Sequence, residues 1–425
     1  MRWGLWYRVR SYTKSALWIV PFIAIPLEII AIRVVEQIAP AIGWHFLNLG
    51  TPAARAMLDT VVTASLSFLV FTFGSLLVAI QIAGGQLTPR IIATTLLRDN
   101  VVRYTVGLFI FTLMFALGAG NRLETDGHQF TIFIAACLGI CCFAAFLYLI
   151  DYAARLMRPI TILALVAKDG LSVIREAYPE ATLGRDVLMQ GRAGLGAPGR
   201  TVLHQGTSEI VVAINVNKLL QQAEASGCVI ELVPQVGDFV ASGEPLFHLY
   251  GSADAAVDGA LADAVAFGPE RTMEQDPTFA FRIVIDIALR ALSPAINDPT
   301  TAVLAIDQLH RLLRLVGQRH LRTDEISGRS GRLRVIVRTP NWDDFVNLAF
   351  SEVRMCGAGN LQVVRRLRAM IENLMQTLPE HRHAELQRQL SLLERDARKH
   401  YPYPEDLVLA GIADVQGLGG HSGRS

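Results

Sequence analysis

The sequence predicts an α-helical membrane region of four transmembrane helices, followed by a cytoplasmic α+β domain that contains a small barrel-sandwich-like β-module. Three observations predict this class. The chain of 425 residues is 52% hydrophobic and only 18% charged, against about 25% charged residues in typical soluble domains. The apolar excess is concentrated before residue 167, and strand-like alternation starts only near residue 206. The stretch from Val61 to Ala83 carries no charged side chain, and about 20 apolar residues in a helix cross a hydrocarbon core of about 30 Å.

The membrane region is expected over residues 1–150. Arg2, Arg8, Arg10 and Lys14, with Trp3, Trp6 and Tyr7, make a basic and aromatic collar suited to a membrane interface. No small-residue cleavage site follows the next apolar run, so it is read as a retained helix rather than a signal peptide. That first span runs from about Ser15 to Val35, with Pro21 and Pro26 as kink points. Glu28 lies inside it. An intramembrane carboxylate is costly and marks a functional candidate; the alternative is a position at the interface or in the bundle interior. Arg33 is the cation nearest to it in sequence.

The second span is the centre of the region. Thr60, Thr63, Ser67, Gly74, Ser75 and Gln81 fall near helical spacing as a small, polar stripe, with Val62, Leu69, Phe73, Leu76 and Ile80 opposite. Lipid is expected on the apolar side. The stripe reads either as a packing seam, because small residues let membrane helices approach closely, or as the lining of a polar pathway. Spans over about Val101–Leu117 and Phe130–Ile150 complete the set. Lys and Arg mark the amino terminus, the loop with Arg90, Arg98 and Arg103, and the segment with Arg155, Arg158 and Lys168 as cytoplasmic. Both termini are therefore expected inside. Cys137, Cys141 and Cys142 share one span without a histidine or carboxylate, which argues for packing rather than metal. The net charge of +1 predicts no nucleic-acid partner.

A helical connector is expected over 151–200, a β-module over 201–255, a mostly helical domain over 256–416 and a disordered tail over 417–425. Strands are expected at Glu209–Asn215, Val229–Pro234 and Arg332–Arg338, with a short helix at Lys218–Ser226. Val236–Leu246 contains Gly-Asp-x-Val-x-x-Gly-x-x-Leu, which is similar to the turn-and-strand unit of lipoyl and biotinyl domains. Those carriers present a lysine at a hairpin tip. Here the nearest lysine is Lys218, in the helical stretch, so neither modification is expected. Asp276-Pro277-Thr278 and Asp298-Pro299-Thr300 each open a helix with Asp as N-cap and Pro in the first turn. Arg282, Asp286 and Arg290 repeat at four-residue spacing as an ionic ladder. Ser293, Asn297 and Asp298 stand at the corner between the two helices. An N-cap aspartate occupies the free amides and repels an anion, so this corner reads as structural.

Several stretches together carry a family resemblance. They are Gln81–Arg90, Leu97-Arg98-Asp99, Val236–Leu246, Asp286–Ala302, and Trp342–Arg354 followed by Gly357. They resemble the bacterial predicted membrane proteins grouped as domain of unknown function 2254, and Ala291–Ala302 is the most specific part. The resemblance implies a four-span membrane region and a cytoplasmic domain and brings no catalytic residues with it; the location expected is the bacterial inner membrane.

Two functions are expected above others. One is an oligomeric channel or transport-type protein with a cytoplasmic regulatory domain, handling an ion or small ligand. The other is a membrane-anchored scaffold or ligand sensor. Four short spans enclose little alone, so a pathway needs a homo-oligomer around the second helix. No nucleophile elbow, metal-ligand cluster or phosphate loop is present, so an enzyme is the weakest reading and no cofactor is expected. Membrane lipid is the one partner that the composition demands.

Overall fold

The computed structural model describes residues 3, 4, 6, 7, 13, 16, 18–42, 50–86, 100–122, 129–156, 158–182, 194–251, 258–321 and 324–419. Outside them lie the basic residues Arg2, Arg8, Arg10 and Lys14, the motif stretches 87–90 and 97–99, the acidic loop with Glu124 and Asp126, and residues 420–425 of the tail. The chain divides into two compact units, a helical one within residues 12–161 and a mixed one built mainly from residues 162–425.

The helical unit contains α1 (Ile19–Ile42), α2 (Thr51–Gln86), α3 (Asn100–Gly120) and α4 (Gln129–Leu156). Among the described residues, α2, α3 and α4 are long and apolar enough to cross a membrane. The first helix is 24 residues long but carries Glu28, Arg33 and Glu36. It packs along α3 at two glycines. A Cβ at Gly107 would lie 2.7 Å from Val20 Cγ1, and one at Gly118 would lie 2.9 Å from both Glu28 Oε1 and Ile32 Cδ1. Absence of a side chain at these positions is what lets the two helices touch. Ile32, Leu58, Val61, Phe115 and Ile132 form one core cluster of this unit, and Leu69, Val106, Phe109, Cys142 and Leu149 form a second. Phe68 stacks on Phe146 at 4.5 Å between ring centres, tying α2 to α4. Cys142 is fully buried and donates its thiol hydrogen to Thr112 Oγ1 at 3.1 Å, a packing role within α3 and α4.

The second unit opens with α5 (Pro159–Ala177), whose buried face is Ile162, Leu163, Val166, Gly170 and Ile174. Two sheets follow. One has the order β1 (Arg200–Leu203), β5 (Pro245–Tyr250), β3 (Val229–Leu232), β8 (Leu333–Val337), β7 (Glu325–Ser327); the other is β4 (Phe239–Val240), β2 (Glu209–Ile214), β6 (Val265–Gly268). The pairing of β3 with β8 is parallel, and every other pairing is antiparallel. Strand alternation explains the shared core. Ile230, Leu232, Phe247, Leu249 and Val335 from the first sheet meet Val211, Val240 and Val265 from the second, with Leu219 and Ala223 of α6 (Val216–Ser226) in the same cluster. The strands β6, β7 and β8 join from outside residues 201–255. At the expected tight turn Gly237 has φ +94°, and a Cβ there would strike the Arg271 and Asp276 side chains. Glycine is therefore required on two grounds, backbone conformation and space.

The amino-terminal aromatics differ from expectation. Trp3 and Tyr7 pack against Val212, Ala213 and Ala266 of the three-stranded sheet. The Trp3 amide donates to Asp263 Oδ2 at 3.3 Å, beside the Lys218–Asp263 ion pair. An interfacial collar and a sheet edge attract the same amphipathic rings, and here the sheet holds these two.

The remaining helices are α7 (Asp258–Ala262), α8 (Pro277–Ala291), α9 (Pro299–Gly317), α10 (Trp342–Gly357), α11 (Leu361–Thr377), α12 (His383–His400) and α13 (Pro404–Ala410). Their core is Phe281, Phe345, Phe350, Leu309, Leu313 and Met370, all nearly or fully inaccessible to solvent. Arg282 bonds Asp286 on its own helix at 2.7 Å and holds both carboxylate oxygens of Glu352 on α10, so the expected ladder reaches across to a second helix. Beyond α13, Asp414 accepts from the amides of Gln416, Gly417 and Gly419, which fixes the start of the stretch expected as tail.

His310 of α9 gives this unit a pH dependence. Its Nε2 bonds Asn373 Oδ1 at 2.9 Å, and burial pushes the imidazole below its ordinary value. The neutral form is therefore favoured in the folded state. Its contribution to stability is complete above the unfolded-state pKa of about 6.5 and is lost as pH falls through the depressed native value. Thermal unfolding at pH 7.5 and pH 5.5 checks this: the loss on acidification should shrink in His310→Gln. An equal loss in the variant would assign the dependence to other groups.

Candidate functional site

The face that α2 presents decides where a membrane site can lie. Ala54, Leu58, Val61, Ser65, Leu69, Thr72 and Ala79 are buried, at successive spacings of three, four or seven residues. That is one face of a helix with 3.6 residues per turn. Thr60, Thr63, Ser67 and Gln81 are exposed. Thr63 and Ser67 each stand two positions from buried neighbours, about 200° round the helix, so they point away from the rest of the protomer. Thr60, Thr63, Ser67 and Gln81 thus lie on the exposed side of α2. Ser75 is also exposed but lies off this line, on the flank of the buried face. Of the residues expected opposite the stripe, Leu69 is buried and Phe73 is exposed.

The hydroxyls of this helix fall into two groups. Thr60 donates to the Ala56 carbonyl at 2.7 Å, Ser67 to Thr63 at 2.8 Å and Ser75 to Thr72 at 3.0 Å. Such back-bonding satisfies a hydroxyl without a partner helix. Ser65 and Thr72 are the other group. They are 1% and 3% exposed; Ser65 lies beside the Cys142 thiol, and the Thr72 hydroxyl has no hydrogen-bond partner among the described residues. Sequence reasoning passed over Ser65 and Thr72, because periodicity shows which residues share a face and not what covers it.

Glu28 is 7% exposed, placed by α1 against Gly118 of α3. The cation that acts on it electrostatically is Arg122, just past the end of α3. Arg33, the near neighbour in sequence, is exposed.

The corner between α8 and α9 makes its bonds within itself. Ser293 Oγ donates to the Arg290 carbonyl at 2.7 Å, and the Asn297 amide donates to the Ser293 carbonyl at 2.8 Å. Asn297 takes φ +48°, a left-handed conformation that asparagine tolerates better than most residues. Asp298 accepts from the Thr301 amide at 3.1 Å and from its hydroxyl at 2.5 Å. Replacing Asp298 by Ala should cost about 0.5–2 kcal/mol, read from unfolding of the purified protein. Unchanged stability together with a lost activity would refute the capping role.

A bundle of apolar helices attached to a mixed α/β unit is the structure of a membrane protein. The chain belongs to the predicted membrane protein family DUF2254, whose pattern matches residues 14–373. It is similar to uncharacterized proteins of Mycobacterium bovis and Mycobacterium tuberculosis, each 26% identical over 425 residues, with 95% of this chain and 81% of the relative covered. No solved structure matches.

Proposed function

We propose that the protein is a four-span inner-membrane protein with both termini cytoplasmic, which assembles through α2 into an oligomeric channel or transport-type complex regulated by its cytoplasmic unit. The observation that carries this reading is the uncovered face of α2. Lipid gains nothing from Ala56, Thr60, Thr63, Ser67, Gly74 and Gln81, whereas a second copy of the helix packs closely on small residues. The fourth span in this reading is α1, with Glu28 sheltered by Gly118 and its other charges toward one end. The two sheets, with one core between them and the Gly237 turn leading into β4, support a barrel-sandwich-like module without a carrier lysine.

A dry scaffold is the second reading, favoured by the back-bonded Thr60 and Ser67. Cysteines introduced at Thr63 and Ser67 separate the two. In a channel, water-soluble thiol reagents modify both and alter ion flux in liposomes. Crosslinking between subunits without reagent access assigns a scaffold. Labelling by lipid-soluble probes alone would remove α2 from any subunit contact.

A further inference from the structure

The five-stranded sheet turns one face to the core and one away from it. Ile230, Leu232, Phe247, Leu249 and Val335 are on the core side. Alternate residues leave the opposite face, because the side-chain period of a strand is two. Glu231 breaks the apolar run of β3 there, and His248 breaks that of β5. The register sets Glu231 directly opposite His248, Tyr250 opposite Val229, and His248 opposite Thr201 of β1. Polar residues on an outward sheet face are ordinary. What marks these is a cleft of about 510 Å³ above them, a volume in the range of small-molecule sites. Its lining is Pro198, Glu231, Val233, His248, Tyr250 and Arg338.

Tyr250 and Arg338 stand toward its two ends. Leu232 pairs with Val337, so Arg338 lies across from Val233, two strands over and four residues along from Tyr250. Strand spacing and rise make that about 16 Å between Cα atoms. Glu231 and His248 fall between them. The Tyr250 hydroxyl donates to Glu231 Oε2 at 2.5 Å, which leans the ring toward the middle of the cleft. Thr201 Oγ1 bonds His248 Nδ1 at 3.1 Å and leaves Nε2 for a ligand. Arg338 is exposed, and its guanidinium has no partner among the described residues. The order along the cleft is therefore ring, polar pair, cation. A ligand that fits carries a flat ring at one end, hydroxyls in the middle and an anion at the other. We propose that this cleft binds one nucleoside monophosphate. The base stacks on Tyr250. The ribose hydroxyls bond His248 Nε2 and the Glu231 carboxylate, which can accept about four bonds. The phosphate accepts from Arg338, whose fork suits phosphate oxygens. The site stands whether the membrane region conducts or only scaffolds, because binding is read without flux.

The test titrates the full chain, purified in detergent, by calorimetry with AMP, GMP, their nucleosides, ribose 5-phosphate and inorganic phosphate. AMP or GMP should bind one per chain, about tenfold or more tighter than any of the fragments. Arg338→Gln should weaken the nucleotide about tenfold, the scale of a lost charge-assisted hydrogen bond, and leave the nucleoside unchanged. Tyr250→Leu should weaken the nucleotide about tenfold, the scale of a lost stacking contact, and leave inorganic phosphate unchanged. Should Tyr250→Leu not fold, the Arg338→Gln titrations decide alone, since that side chain is exposed. No binding of either nucleotide, ribose 5-phosphate or inorganic phosphate binding as tightly as the nucleotide, or an unchanged nucleotide affinity in Arg338→Gln would each overturn the proposal.

Discussion

Phe281→Ala should cost about 3–5 kcal/mol, the range for truncating a fully buried phenylalanine. Phe281 is inaccessible to solvent and lies 5.3 Å from Phe345, which in turn meets Tyr178 edge-on at 6.2 Å. The chain of rings joins α8, α10 and the residue that follows α5. Removing Phe281, at one end of it, loses transfer energy and leaves a hole beside the Phe345 ring. Phe239→Ala is the matched control, because that ring is 64% exposed on β4; surface changes usually stay within about 0.5 kcal/mol. Thermal unfolding reads both, since about 2–4 °C accompany each kcal/mol in a unit of about 150–250 residues. Similar midpoints for the two variants would deny this cluster its place in the core.

Gly118→Leu should cost about 1–3 kcal/mol or more, as overpacking does, and should part α1 from α3. Even the first carbon of the new side chain would arrive 2.9 Å from Glu28 Oε1 and Ile32 Cδ1. Glu28 is itself buried at 7% exposure, so the new side chain has to displace it or part the helices. Gly120→Leu is the control two residues on, where a Cβ meets nothing within 4 Å. Denaturation in mixed micelles, followed by helicity, compares the pair. Equal stability of Gly118→Leu and the wild type would mean that the two helices do not cross at this glycine.

Local chemistry was legible in the sequence wherever a residue acts on its own neighbours. Asp276 and Asp298 cap α8 and α9, and both accept from the amide three residues on. The strands at 209–214, 229–232 and 333–337 follow short runs rich in branched residues. What sequence reading could not supply is the partner of each face. β3 pairs with β8 across about a hundred residues of chain, and no local signal encodes that separation. Trp3 and Tyr7 satisfy either an interface or a sheet. On α2 the period was visible, but Ser65 and Thr72 turned out to be inside and the stripe outside, because composition does not say which side of a helix its own protomer takes. Glu28 was visible as an oddity, whereas Arg122 lies on a different helix hairpin and could be found only by folding.

The length of α2 has a mechanical consequence. From Thr60 to its end at Gln86 the helix has no charge for 27 residues, about 40 Å at 1.5 Å per residue. A hydrocarbon core is about 30 Å thick. Such a rod fits only by leaning about 40° from the membrane normal, by standing proud of the surface, or by stretching the lipid around it. Each response changes with bilayer thickness: a thicker membrane lets the rod stand upright, and a thinner one lays it over. The lean would swing Thr63 and Ser67 through depths that change with lipid chain length.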